Sequence, residues 1–328
     1  MKIVNIFCIA AMVAIMVGCG NNNSTPTAQE PQKPVVYMTK DISPEGLVKV
    51  YKALGVQPEG RVAVKISTGE PGGKNFLQPS LIQLFVNEVN GTLVECNTAY
   101  PGGRMTSEAH WKTAKDHGFL DIAPFDLLDD TAEIKIPVQD TTHIKYNIVG
   151  KNIENYDYVI NLAHFKGHTM GGFGGVLKNQ SIGFASSNGK TYIHTAGRSE
   201  ERDSIWSYLN VVEQDAFLES MAAAAQSIHE YFKGKVIYIN VMNNLSIDCD
   251  CSAHPADPEM KDVGILVSLD PVALDQACVY LIFQYPSTED DNAQTLVDRI
   301  KEKHGTHIID YAEKIGLGSK DYELKVID

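Results

Sequence analysis

Basic residues, cysteines and long apolar runs are all scarce in this chain, and each scarcity removes a class of protein. Lys and Arg number 28 against 41 Asp and Glu, a formal net charge of −13 over 328 residues. No basic face is left to neutralise phosphates, which argues against a nucleic-acid partner and leaves room only for small anions met by locally gathered cations. Beyond Val17 no apolar stretch reaches the roughly 20 residues of a spanning helix, so a transmembrane segment in the mature chain is not expected. Six cysteines in a chain of this length do not form a disulfide scaffold. No internal repeat is visible.

The first 18 residues carry a signal. An apolar run from Ile3 to Val17, preceded by one cation, Lys2, ends in Met16-Val17-Gly18-Cys19. A small-residue step into cysteine is the pattern of a bacterial lipoprotein signal peptide, with Cys19 lipidated as the first mature residue. An ordinary cleaved signal with an incidental cysteine is the alternative. The polar stretch from Gly20 through Thr27 to Pro34 reads as a flexible tether, residues 19–35. The expectation is a protein held by lipid at the cell envelope, facing periplasm or cell surface, with residues 36–328 as one folded domain.

Within that domain apolar runs alternate with helical spacing. Strands are expected at Arg61–Ile66, Thr92–Glu95, Tyr156–Leu162, Val236–Val241 and Val263–Val267, because each is a short apolar-rich run bounded by turn residues. Ser80–Asn90 and the stretch after Thr106 have helical spacing, and Thr106 or Ser107 can cap the second. Ala132–Val138 and Ile144–Val149 read as an antiparallel excursion, Trp206–Phe232 as one long helix, and Asp270-Pro271 as a helix start. The pattern predicts an α/β fold with a mainly parallel sheet and helices on both faces, as one domain or two closely packed halves.

Chemistry-bearing residues gather in loops after strands. Asn161 to Asn179 holds His164, Lys166, His168 and Lys178 with four glycines in five positions, Gly171, Gly172, Gly174 and Gly175. Such a loop lets backbone amides approach a ligand while cations and imidazoles supply charge and proton transfer. It is not a Walker loop, since no glycine precedes Lys178 and no Ser or Thr follows it, and it does not match G-x-G-x-x-G. Lys65 with Gly69–Asn75 forms a second such segment. Glu95–Arg104 with Thr106 and His110 forms a third, in which Arg104 can fork onto a carboxylate or phosphate.

Of the cysteines, Cys8 leaves with the signal and Cys19 takes lipid, so Cys96, Cys249, Cys251 and Cys278 remain. Cys249, Cys251 and His254 lie within six residues and offer donors for zinc or iron, with Asp248 or a distant histidine to complete a site. A bond between cysteines this close in sequence is expected to be strained, so metal ligation or free thiols are favoured over a disulfide. Cys278, on the apolar side of a helix, reads as core.

Three groups of residues resemble the domain-of-unknown-function 362 family, often labelled uncharacterised iron–sulfur centre proteins. They are His164–His168 with Gly175–Asn179, Gly102–Thr106 with His110 and Ala114–Phe119, and Asp248–Cys251 with Asp262–Ile265 and Asp270–Ala277. The resemblance covers most of residues 36–285. Many relatives carry an inserted ferredoxin segment with C-x2-C-x2-C-x3-C-P spacing, and this chain has no such run, so a ferredoxin-type cluster is not implied. What it does imply is that Cys249 and Cys251 mark a characteristic site.

A looser likeness links His168, Gly172, Phe173, Gly175 and Lys178 to the H-x-x-A-G-F-S-G-G-x-K loop of the lactate racemase family. There the histidine and lysine face a nickel-pincer nucleotide. Here Gly171, Gly174 and Val176 replace three of that pattern's residues, so the likeness implies a shared fold and pocket position and not a shared cofactor.

The sequence reading is thus a lipid-anchored enzyme, oxidoreductase or isomerase-like, with a cleft for a small anionic substrate or cofactor. Lys65, Arg104 and Lys178 supply charge, Gly171–Gly175 amides, and His168 or His110 a proton. Cys249, Cys251 and His254 hold a metal or cycle as thiols. The rivals are a non-catalytic ligand- or metal-binding lipoprotein and a purely structural zinc clip.

Overall fold

The computed structural model describes residues 33–208 and 210–328. The signal, Cys19 and nearly all of the tether fall outside them.

Eight strands form the main sheet. In chain order they are β1 (Val35–Thr39), β2 (Val62–Lys65), β3 (Gly91–Glu95), β4 (Phe125–Leu127), β7 (Tyr158–His164), β10 (Val236–Met242), β11 (Gly264–Ser268) and β12 (Glu323–Val326). Two hairpins stand apart from it: β5 (Glu133–Pro137) with β6 (Tyr146–Gly150), and β8 (Lys166–His168) with β9 (Gly172–Gly174). The sheet order is β12-β1-β11-β10-β7-β2-β3-β4. Only β11 among these eight runs against the rest, pairing antiparallel with both β10 and β1. The expected α/β fold with its mainly parallel sheet is what is found, and the antiparallel excursion is the β5–β6 hairpin.

Both faces of the sheet are covered, which is why its strands read as unbroken apolar runs. Ile237, Ile239 and Val241 of β10 enter one core with helices α1 (Pro44–Lys52) and α2 (Pro79–Glu88). Tyr238 and Met242 enter the other, with α4 (Val176–Phe184), α7 (Gln214–Tyr231) and α8 (Pro271–Phe283). Helix α3 (Ser107–Asp116) is capped by the Thr106 hydroxyl, as its sequence suggests. The long helix expected over Trp206–Phe232 is instead two: α6 (Ile205–Tyr208) follows α5 (Ser187–His194), and α7 begins only at Gln214. Apolar spacing continued across the break and concealed it. Two further helices, α9 (Gln294–Glu302) and α10 (His307–Lys314), precede β12.

The sheet reverses its winding between β2 and β7, which are hydrogen-bonded neighbours. From β2 the chain crosses by α2 to β3 on one side, and from β7 through α4–α7 to β10 on the other. Right-handed crossovers in opposite directions place their helices on opposite faces, so the carboxyl ends of β2 and β7 diverge and leave a crevice.

Asp275 anchors α4 beneath that crevice. Its carboxylate accepts from the amides of Val176 and Leu177, each at 2.9 Å, and from Asn240 Nδ2 at 2.7 Å. A side chain at Gly175 would stand 2.3 Å from that carboxylate, so only glycine fits there. Asp275→Ala strands three buried donors at about 1–3 kcal/mol each, for an expected loss of at least about 3 kcal/mol in urea unfolding. An unchanged midpoint would remove Asp275 from this role.

Candidate active site

A cavity of about 440 Å³ opens at the crevice. It is lined by segments that follow β2 (Lys65, Ser67), β3 (Glu95 to Arg104) and β7 (Ala163 to Met170), by Gly174 to Gly183 of the β9–α4 region, and by Cys249, Asp250 and Cys251 after β10. Lys190, His194 and the exposed Trp206 complete the wall. The loops singled out after Lys65, Glu95 and Leu162 therefore share one hollow with the cysteine turn.

Most of its cations are already paired. Lys65 Nζ donates to Glu95 Oε1 at 2.9 Å and to Asn179 Oδ1 at 3.2 Å. Arg104 Nε donates to Glu70 Oε1 at 2.9 Å, and its Nη1 lies 3.6 Å from Glu95 Oε2. Lys166 is bonded to Asp250, whose other oxygen meets His164 Nδ1 at 3.1 Å. Lys190 donates to the Ala185 carbonyl. Lys65, Arg104 and Lys166, expected to bind ligand directly, spend their charge on neighbouring carboxylates instead, because unpaired ions are too costly to bury, and His164, expected to do the same, is hydrogen-bonded to Asp250 and the Asn243 carbonyl.

Lys178 is different. Among the described residues its Nζ has no hydrogen-bond or ion-pair partner. Burial pushes its ammonium down, with Lys65 and Arg104 adding repulsion, to about 8. Glu95 is its complement. Burial would raise that carboxyl, but Lys65 and Arg104 outweigh it and hold it at about 2, and its buried Oε2 accepts no hydrogen bond. Five basic side chains against the carboxylates of Glu95 and Asp250 line the cavity, which gives it a positive interior in an acidic protein.

The glycine segment works differently from expectation. It is the β8–β9 hairpin, and His168 sits at its bend, where Nδ1 accepts from the amides of Met170 at 3.2 Å and Gly171 at 2.8 Å. Gly172, at φ +81, packs its Cα against Ile300 and Gly305, where no side chain fits. Gly174 and Gly175 line the cavity, whereas Gly171 and Gly172 do not. The first amides of α4 are taken by Asp275, so the expected amide cradle is already filled from within.

Three expectations need correction. His110 does not line the cavity: it is fully buried, bonded to Thr68 Oγ1 at 2.9 Å and Asn97 Oδ1 at 3.3 Å, and burial pushes it down to about 3. Enclosed and with both ring nitrogens engaged, it does not reach a ligand in the cavity. His254 is exposed and stands outside the cysteine cluster, and His168 takes its place. Cys249 and Cys251 are joined as a disulfide. The turn closed by Ser252 N–H on the Cys249 carbonyl, at 3.0 Å, brings their Cα atoms to 5.2 Å, within the ordinary disulfide range.

His168, Cys249 and Cys251 each present one donor atom within 4.8 Å of the others, a group with the donor types and spacing of a metal site. As folded, it does not fit a metal. Burial pushes His168 well below its ordinary value, so the ring is neutral; Nδ1 accepts two amides, and Nε2 therefore carries the proton. Histidine ligands ordinarily donate through the second nitrogen, and here that nitrogen accepts.

Some residues escaped the sequence reading. Lys190, in Gly189-Lys190-Thr191, lines the cavity although no element or motif was read in its segment, and the neutral His194 stands beside it, pushed down by burial to about 4. Glu70 and Asp250 set which cations are free, and only their distant partners reveal that.

The fold and site define an α/β protein with a positively lined cavity at its topological switch point. Residues 62–280 match the family described as Domain of unknown function (DUF362), and the chain belongs to that family. Among curated proteins none matches. Among solved structures, the chain is similar to the lactate racemase apoprotein from Thermoanaerobacterium thermosaccharolyticum, with 14% identity and a TM-score of 0.36 over 62% of this chain and 50% of that one. It is also similar to a structural-genomics protein from Thermotoga maritima, with 13% identity and a TM-score of 0.41 over 83% of this chain and 58% of that one. The chain thus spans between half and three-fifths of the length of these structures.

Proposed function

We propose that the protein is a cell-envelope enzyme, tethered through lipid on Cys19, that binds a small organic acid in this cavity and moves a proton on it. The observation that carries the reading is the unpartnered Lys178 in a wall where the other cations are satisfied. A carboxylate or phosphate is the ligand that pairs with such a half-buried, unpartnered ammonium. Glu95 Oε2, buried and accepting nothing, asks for a donor from the same ligand. A small acid bearing a hydroxyl or amino group satisfies both. His168 holds its ring fixed by two amides and offers the Nε2 proton as a donor to the ligand, whose acid group the charged Lys178 holds in place. Among the described residues no helix is long and apolar enough to cross a membrane; the anchoring reading rests on the Cys19 signal pattern.

The test is a pH series of ligand binding. Below pH 8 Lys178 is charged and anion affinity is expected to be level; above it affinity falls about tenfold per pH unit as the ammonium is lost. Calorimetry with a panel of small hydroxy, amino and phospho acids measures it. Affinity that stays flat to pH 10, or a panel with no binder, defeats the proposal.

A further inference from the structure

The misfit of a metal at the cysteine turn points to a different use for it. We infer that Cys249 and Cys251 form a reversible dithiol–disulfide couple in the cavity wall, reduced by a soluble dithiol. The inference does not depend on the anion reading, since it uses no property of Lys178.

The turn is held rigidly from outside the pair. The Asp250 carbonyl accepts from Glu70 N–H at 2.9 Å, and its side chain is clamped by Lys166 and His164. With the backbone fixed on both sides of each cysteine, the bond can open and close while the Cα atoms keep their 5.2 Å spacing. Both cysteines line the cavity, Cys249 nearly buried and Cys251 partly exposed, so a reductant reaches Cys251 first.

The other cysteines of the domain are poor exchange partners. Cys96 is buried, its thiol donates to the Phe184 carbonyl, and burial keeps it protonated. Cys278 is buried in the α8 core against Asn240. Neither competes for the pair.

The exchange balances. A thiolate of the reductant attacks Cys251 Sγ, the Cys249–Cys251 bond breaks, and Cys249 leaves as a thiolate that takes up the proton the attacking thiol released. The reductant's second thiol then attacks its own sulfur in the mixed disulfide, and Cys251 is released as a thiol. Two electrons and two protons pass to the protein, and the reductant ends as a cyclic or intramolecular disulfide.

Full-length protein purified without chelator or reductant provides the test. It is equilibrated in mixtures of reduced and oxidised dithiothreitol, trapped by differential alkylation and read peptide by peptide, with metal content measured in parallel. The expected result is that the Cys249–Cys251 peptide passes reversibly between bonded and doubly alkylated forms in native buffer. Cys96 and Cys278 label only in denaturant, and metal stays well below one ion per chain. In Cys249→Ser, glutathione disulfide is expected to leave one glutathione on Cys251, because the resolving thiol is gone, and the parent protein retains none. A pair that opens only after unfolding, or one tightly held metal ion per chain on two free thiols, overturns the inference.

Discussion

Replacing Lys178 by methionine is expected to stabilise the folded protein and abolish its affinity for small anions. Both effects come from one group. An ammonium whose pKa falls from 10.5 to about 8 on folding is held charged at neutral pH against its surroundings, at a cost of about 3 kcal/mol in the limit where nothing else relaxes. Methionine fills much the same volume without the charge, so a gain of about 1–3 kcal/mol in urea unfolding is expected. A charged hydrogen bond to a ligand is worth about 1.5–3 kcal/mol, and its loss weakens binding by about 10- to 100-fold. Stability and binding moving in opposite directions is the mark of a group kept for function. If Lys178→Met is destabilised and its ligand profile is unchanged, the lysine is structural and the anion site lies elsewhere.

Acid is expected to unfold the protein over an unusually narrow range below pH 6.5. His110, His168 and His194 are all held neutral by burial, His110 down to about 3 and His194 to about 4. In the unfolded chain all three take up protons near 6.5, whereas in the folded chain they do not. Unfolding therefore binds protons, and the stability these groups contribute is full above about 6.5 and drains as pH falls toward their folded values.

Each such proton is worth about 1.4 kcal/mol per pH unit. Asp275 works the other way: burial raises it to about 6, so between about 4 and 6 the folded state holds a proton that the unfolded state does not. For these four groups the net is about two protons, or roughly 3 kcal/mol per pH unit near pH 5. Against a usual stability of about 5–15 kcal/mol, that is enough to unfold the chain within two or three units. Urea midpoints from pH 7.5 to 4.5 measure the slope, and His110→Gln is expected to reduce it by one proton. A flat profile over that range would show that these histidines titrate normally in the fold.

Much of the architecture was visible before the structure. Buried parallel strands such as Val62–Lys65 and Tyr158–His164 are apolar-rich runs because both faces are covered, and glycine-rich loops after them mark the crevice end. The caps at Thr106 and Asp270 are local too, made within three residues by side chains whose chemistry is plain in the sequence. What stayed hidden is non-local. Asp275 reaches amides 98 and 99 residues away, Lys166 meets Asp250 across 84, and Arg104 meets Glu70 across 34. No periodicity records such pairings.

The amino-acid order alone determined the alternation of strand and helix, the glycine-rich hollow, and the residue types gathered around it. Those follow from local propensity and from the need to bury apolar faces. Tertiary structure decided which cation is left free, which amides are spent on Asp275, and that His168 rather than His254 stands beside the cysteines. The reason is that a buried charge is settled by whichever partner the fold carries to it, and in this protein the partners come from distant parts of the chain.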